Sequence, residues 1–225
     1  MSSALLFLHG WASDSKIWNK QRNYFNGYEI IAPELDLETL NQNADKAYAL
    51  CRDKENIVII AWSMGWLAAL KLLEYKNLDI KSVVSISGMP KFISEDYIEN
   101  GVKSSEIRAL RLALKKDFIA ALNRFYAQHK IPLNAVDFVV KKDLLIKQLD
   151  ILEREDLRKN LALIKCPVLF IGGASDILCP AQMQNYMASC VKNSIVKIME
   201  NSAHAPFLEK DKEIGGLIYE FTNNT

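Results

Sequence analysis

Residues 57–66 read IVIIAWSMGW, and a helix-forming run, Leu67 to Tyr75, follows them. Ile57 to Ile60 are β-branched and apolar, the composition of a buried strand. A strand, a sharp turn around a central Ser, then a helix make a nucleophile elbow, in which the turn lifts the Ser63 hydroxyl above a sheet edge at a helix N-terminus. The turn is tight, so small residues must flank the Ser. Gly65 fills the second small position, and Ala61 stands where the first Gly is usual. Trp66 occupies a site where another small residue often follows, so the helix contact beneath the elbow is expected to be reshaped.

Working outward, five further short apolar runs read as strands: Ala4 to His9, Tyr28 to Ala32, Ser82 to Ser87, Val168 to Gly172 and Ser194 to Met199. They are nearly continuous rather than alternating, which fits parallel strands covered on both faces. Helical patterns separate them at Ala44 to Lys54, Leu67 to Tyr75, Ala181 to Cys190 and Asp211 to Phe221. Alternating strand and helix predicts an open, mostly parallel α/β sheet with helices on both faces. The alternation breaks over 89–161. There Leu110, Leu114 and Phe118 recur at a helical interval, as do Leu145, Leu149 and Leu152. The expected organisation is a core of 1–88 plus 162–225, with 89–161 a helical insertion. Open α/β sheets bind ligands at the carboxyl edge of their strands, so an insertion there would be a lid.

A Ser nucleophile needs a base, and the base needs an acid to orient it. The chain has three histidines: His9, His129 and His204. His204 lies in NSAHAPF, directly after the last expected strand, and Pro206 disfavours helix just before it. Asp176 lies in GGASDILCP, directly after the penultimate strand. Each residue alone has a plainer use: Ser63 as a helix N-cap, Asp176 as a cap or turn former. Together they follow three strands of one sheet, so all three project from one edge. Asp14 and Asp36 compete for the acid role, but both follow early strands. Oxyanion donors are expected from the backbone N–H groups of Met64 and of Trp11, in the loop HGWASD, where Gly10 lets the chain turn close to the substrate. His9 reads as a brace for that loop, and His129 as a surface residue of the insertion.

The net charge of +1 exerts no general pull toward nucleic acid or membrane. Cys51, Cys166, Cys179 and Cys190 lack CxxC or metal-ligand spacing and read as buried or inert thiols, so no metal or cofactor is expected. The apolar run Ala4 to Leu8 is short for a signal or a span, and a cytoplasmic location is the expectation.

The stretches HGWASDSKIW, AWSMGWLAA, ISGMPKF and SAHAPFLEK resemble the α/β-hydrolase superfamily, whose triads run in the chain order Ser, Asp, His. More closely, they resemble the pimeloyl-acyl-carrier-protein methyl ester esterases of biotin synthesis. The resemblance implies Ser63 as nucleophile, His204 as base and Asp176 as its partner, with Trp11 and Met64 at the oxyanion. It also implies a four-helix lid whose arginines meet acyl-carrier protein. Ala61 and Trp66 depart from that group's GWSxGG pattern, which bears on the acyl pocket.

The insertion can also be read by charge. Between Lys103 and Lys147 ten basic residues face four acidic ones. Arg108, Arg111 and Lys115 have i, i+3, i+7 spacing and are expected on one helical face, a dock for an acidic carrier or else an ordinary solvated face. Substrate and carrier contacts are expected from Trp11, Phe92, Arg108, Arg111, Lys115 and Arg124. The resulting expectation is a serine carboxylesterase that opens the methyl ester of pimeloyl-acyl-carrier protein. The alternatives are a thioesterase, a general short-chain esterase, a menaquinone-pathway lyase, or a non-catalytic binder on the same scaffold.

Overall fold

Six strands form one sheet in the order β2-β1-β3-β4-β5-β6, every neighbouring pair parallel. They are β1 (Ala4–Leu8), β2 (Glu29–Ile31), β3 (Ile57–Trp62), β4 (Ile80–Ile86), β5 (Val168–Gly173) and β6 (Ser194–Met199). The computed structural model describes residues 4–99 and 101–225. The helices are α1 (Asn19–Arg22), α2 (Leu40–Cys51), α3 (Met64–Leu72), α4 (Ser104–Lys116), α5 (Phe118–Gln128), α6 (Lys142–Arg154), α7 (Ala181–Cys190), α8 (Pro206–Glu209) and α9 (Asp211–Asn224).

Every residue of β1, β3 and β5 is buried, as continuous apolar runs require. The edge strand β6 departs from that expectation: as the last strand of the sheet it leaves Ile195 and Lys197 exposed. Connections α2, α3 and α7 step along the sheet one way and α1 the other. Right-handed crossovers then put α1, with α9 packed on it, on the opposite face. Thr39 and Gln42 form a capping box that starts α2 four residues earlier than the apolar pattern suggests.

The chain leaves β1 toward β2 and later returns to β3 on the other side of β1. Between the carboxyl ends of β1 and β3 the strand order therefore reverses, the place where open α/β sheets hold ligands. Trp11 and Ser63 both sit there. Residues 89–161 contain α4, α5 and α6, as expected from their helical periodicity. The run through Leu110, Leu114 and Phe118 is two helices rather than one: Asp117 is extended (φ −147°), and its carboxylate caps α5 through the Ala120 N–H. The two ends of this segment are tied together by a bridge between Lys91 and Asp156 and by the Leu157 N–H donating to Pro90 O. Its helices are tied to the loops after β1 and β2. Trp11 Nε1 donates to Leu145 O, Tyr126 Oη to Ala12 O, and Gln148 Nε2 to Leu35 O and Leu37 O.

Candidate active site

Ser63 sits at the N-cap of α3 with φ 53° and ψ −120°, and its side chain makes no capping bond. A non-glycine residue held there costs about 1–3 kcal/mol. Two neighbours enforce the strain. The Ser63 N–H remains in the sheet, donating to Ile86 O, while the helix begins one residue later. Gly65 lets α3 start against the end of β1: a Cβ there would lie 2.3 Å from Leu8 O. Gly10 serves the other side, since a Cβ on it would lie 3.2 Å from Ser63 Cβ. The loop carrying Trp11 is thereby pressed against the elbow.

His204 and Asp176 arrive from the loops after β6 and β5. Gly173 permits that crossing, because a Cβ there would strike Ala203 O at 2.2 Å. Trp62 Nε1 donates to His204 O, which fixes the histidine loop over the end of β3. His204 Nε2 lies 2.9 Å from Ser63 Oγ, and His204 Nδ1 lies 2.9 Å from Asp176 Oδ2. The Asp176 side chain is 0% exposed, and its Oδ1 accepts the Leu178 and Cys179 N–H groups, each at 2.9 Å. A carboxylate offers only acceptors, so Nδ1 is the donor and Nε2 is left to accept from the Ser63 hydroxyl. In this arrangement Nε2 can take the serine proton, and Asp176 can stabilise the imidazolium that results.

The neighbouring polar groups take other roles. Asp14 caps the turn at Ser15–Trp18 through the Lys16 N–H, and Asp36 pairs with Lys46. His9 braces its loop as expected: Nδ1 meets Gly10 O and Ser13 Oγ, and Nε2 accepts from the Leu35 N–H. Burial pushes the Cys179 thiol well above the usual range, so it offers no thiolate beside Asp176. Of the four thiols read as buried or inert, Cys51 and Cys179 are buried, Cys166 is half-buried and Cys190 is exposed.

Over Ser63 and His204 lies a narrow apolar cleft lined by Trp11, Phe92, Phe125, Ile131, Leu152 and Leu178, with free space of about 10 Å³. Trp11 and Phe92 are therefore placed at the site, while Met64 opens α3, where its N–H has no intrahelical acceptor. Trp66 points away from the cleft. It is fully buried, edge-on to Phe170, and its ring occupies the space that a Cβ on Gly88 would need.

The expected basic face is split. Arg108 and Lys115 on α4 and Arg124 on α5 are exposed. Arg111 instead bonds Ile146 O and pairs with Asp150 at 2.9 Å and Glu153 at 2.8 Å, joining α4 to α6. The acidic partners lie just beyond the window in which the basic excess was counted. His129 is a second correction: it is not a surface residue. It is 7% exposed, its ring centroid lies 6.3 Å from that of His204, and its Nδ1 has no partner among the described residues. Burial, then the proximity of His204, pushes its pKa down to about 4, opposed by Asp176. The apolar neighbours Phe125 and Ile131 carried no signal that the intervening His would turn inward.

No family model matches the chain. Pimeloyl-acyl-carrier-protein methyl ester esterase from Photorhabdus laumondii is 26% identical, over 99% of this chain and 93% of that one. The protein of the same name from Pseudoalteromonas atlantica is 28% identical, over 92% and 90%. Among solved structures, an esterase from Exiguobacterium antarcticum superposes with a TM-score of 0.85 at 20% identity, over 99% of this chain and 92% of that one. No helix among the described residues is long and apolar enough to cross a membrane. The chain thus has the α/β-hydrolase fold, and by sequence it resembles the pimeloyl-acyl-carrier-protein methyl ester esterases over nearly its whole length.

Proposed function

We propose that this chain is a serine carboxylesterase acting on the methyl ester of a pimeloyl chain carried by acyl-carrier protein. The observation that carries the hydrolase chemistry is the continuous relay Ser63–His204–Asp176, built on a strained elbow at the sheet edge. Ser63 Oγ attacks the ester carbonyl as His204 takes its proton. The backbone N–H groups of Trp11 and Met64 receive the oxyanion. His204 returns the proton to the departing methanol, and a water activated by the same imidazole then releases the free acid. Residues 89–161 act as a lid over a core formed by 1–88 and 162–225, with Trp11 and Phe92 against the acyl chain.

The carrier half of the reading is supported by the named relatives and by the exposed Arg108, Lys115 and Arg124. Arg111 is left out of the dock, because Asp150 and Glu153 already neutralise it. The deciding experiment compares methyl pimeloyl-carrier with the matching non-methylated thioester. Release of methanol with the thioester intact supports the reading. Cleavage of the thioester instead would make the chain a thioesterase. Failure to react with a fluorophosphonate probe at Ser63 would remove the serine chemistry altogether.

A further inference from the structure

His129 is the one histidine with no part in the chemistry or in bracing described so far. It ends α5 at the residue after Gln128, its backbone N–H still bonded to Phe125 O. Lys130 follows with φ 52°, which turns the chain sharply and returns Ile131 to the cleft wall. His129 is thus held between two cleft residues, Phe125 and Ile131. Its ring lies 4.7 Å from that of Phe125 and 6.3 Å from that of His204. Its Nδ1 is fully buried and unpartnered among the described residues. A buried nitrogen without a partner is costly, and native structures seldom keep one without a use. The rest of the cleft wall facing the substrate is apolar: Trp11, Phe92, Leu152 and Leu178 beside Phe125 and Ile131.

We propose that His129 is a specificity-determining residue: its imidazole hydrogen-bonds an uncharged oxygen of the substrate that lies beyond the reacting ester. The class of ligand follows from the surroundings. The imidazole is neutral at ordinary pH, because it is buried and faces His204. A carboxylate brought beside it would be stripped of water with no cation to receive it and with Asp176 close by. A carbonyl, ether or hydroxyl oxygen meets the nitrogen without that penalty. The cleft holds about 10 Å³ of free space, about one water. An acyl chain must therefore spread the wall that includes Phe125 and Ile131, and the same displacement gives it access to the residue between them. The assignment rests on the esterase reading for which bond reacts, and it adds what the rest of the substrate must carry.

The test uses matched esters of equal length, p-nitrophenyl pentanoate and p-nitrophenyl methoxypropionate, which differ by an ether oxygen in place of a methylene. Affinity is measured in Ser63→Ala by quenching of tryptophan fluorescence, with and without His129→Phe, so that no turnover is needed. The Ser63→Ala protein should bind the ether ester about twofold to tenfold more tightly than the double variant Ser63→Ala, His129→Phe does, with a much smaller difference for the alkyl ester; a neutral hydrogen bond has this worth. Equal losses on both esters would mean that His129 only packs the lid, and no loss on either would mean that it touches neither; both overturn the proposal. Turnover of the alkyl ester by the unmodified protein tests the esterase reading separately. In turnover, the acid limb of the kcat/KM profile should stay in place in His129→Phe. A shift of that limb would show His129 tuning His204 rather than reading substrate, and would also overturn it.

Discussion

Asp176→Asn is the sharpest probe of the relay. The native carboxylate receives three donors: two backbone N–H groups on Oδ1 and the imidazole on Oδ2. An Asn side chain has one oxygen and one NH₂. If the oxygen stays toward Leu178 and Cys179, the NH₂ faces His204 Nδ1. If the amide flips, the NH₂ faces two buried N–H donors. The first orientation leaves no donor against a donor, provided that the imidazole changes tautomer. It therefore prevails, and the proton moves to Nε2. His204 then presents a donor to Ser63 where an acceptor is needed.

The expected consequence is a loss near 10⁴-fold in kcat, the magnitude that this tautomer error causes in the best-studied triad, equivalent to about 5.5 kcal/mol on the barrier. Both residues are buried and their packing is unchanged, so the fold should survive. The assay is p-nitrophenyl butyrate hydrolysis from pH 5 to 10, with circular dichroism on the same samples. Asp14→Asn is the control, since Asp14 only caps a turn. An Asp176→Asn protein within tenfold of the unmodified rate, or an Asp14→Asn protein equally impaired, would refute the reasoning.

Ser63→Ala should lose on the order of 10⁶-fold in kcat and all fluorophosphonate labelling; labelling that persists would point to another nucleophile. Gly65→Ala should lower the melting temperature and activity together, because its Cβ would meet Leu8 O at 2.3 Å; an unchanged melt would mean that α3 shifts freely. The depressed His129 pKa means that the unfolded state takes up a proton there between pH 6.5 and about 4 while the folded state does not. Stability is fully present above pH 6.5 and falls as pH drops through that window, by about 3 kcal/mol in all; His129→Phe should flatten this part of the pH–stability curve, and an unchanged curve would contradict the shift. Reversing Arg108 and Lys115 to Glu should reduce kcat/KM for a carrier-bound ester and weaken its salt dependence, while a small ester is hydrolysed as before; equal loss on both substrates would indicate a damaged insertion.

The core is legible in the sequence because its signals are local. Ile57–Trp62 has the strand bounds that its apolar run suggests, since a buried parallel strand needs little beyond β-branched residues and a stop; Ser194–Met199 has its expected bounds too, although as the edge strand it is only partly buried. Ser63, Asp176 and His204 can be grouped from the sequence because each follows a strand of one parallel sheet, and such a sheet delivers all its strand ends to one edge. Gly65 is legible for the same reason, as the turn's geometry is written in adjacent residues. Trp66 is legible only as an anomaly. Its resolution lies at Gly88, on the next strand's loop, where the absence of a side chain makes room for the indole.

The helical insertion is less legible because its side chains are assigned by partners distant in the chain. Arg108, Arg111 and Lys115 lie within one arc of α4, yet Arg111 is taken out of it by Asp150 and Glu153 on α6, which no pattern within α4 can reveal. Ion pairing across two helices fixes how α4 and α6 pack, so the residue serves the shape of the insertion before it could serve a partner. His129 misleads by the same logic. At a helix end, followed by a Lys and flanked by polar Gln128, it has the sequence surroundings of a solvated residue. The left-handed turn at Lys130 reverses that, and it brings the imidazole beside His204. Replacing Lys130 by Gly, which adopts that turn without strain, should therefore leave the insertion in place, whereas Lys130→Val should disturb the cleft through His129 and Ile131 and reduce ester hydrolysis more than it reduces the melting temperature. Equal activity in the two variants would show that the turn does not position the cleft wall.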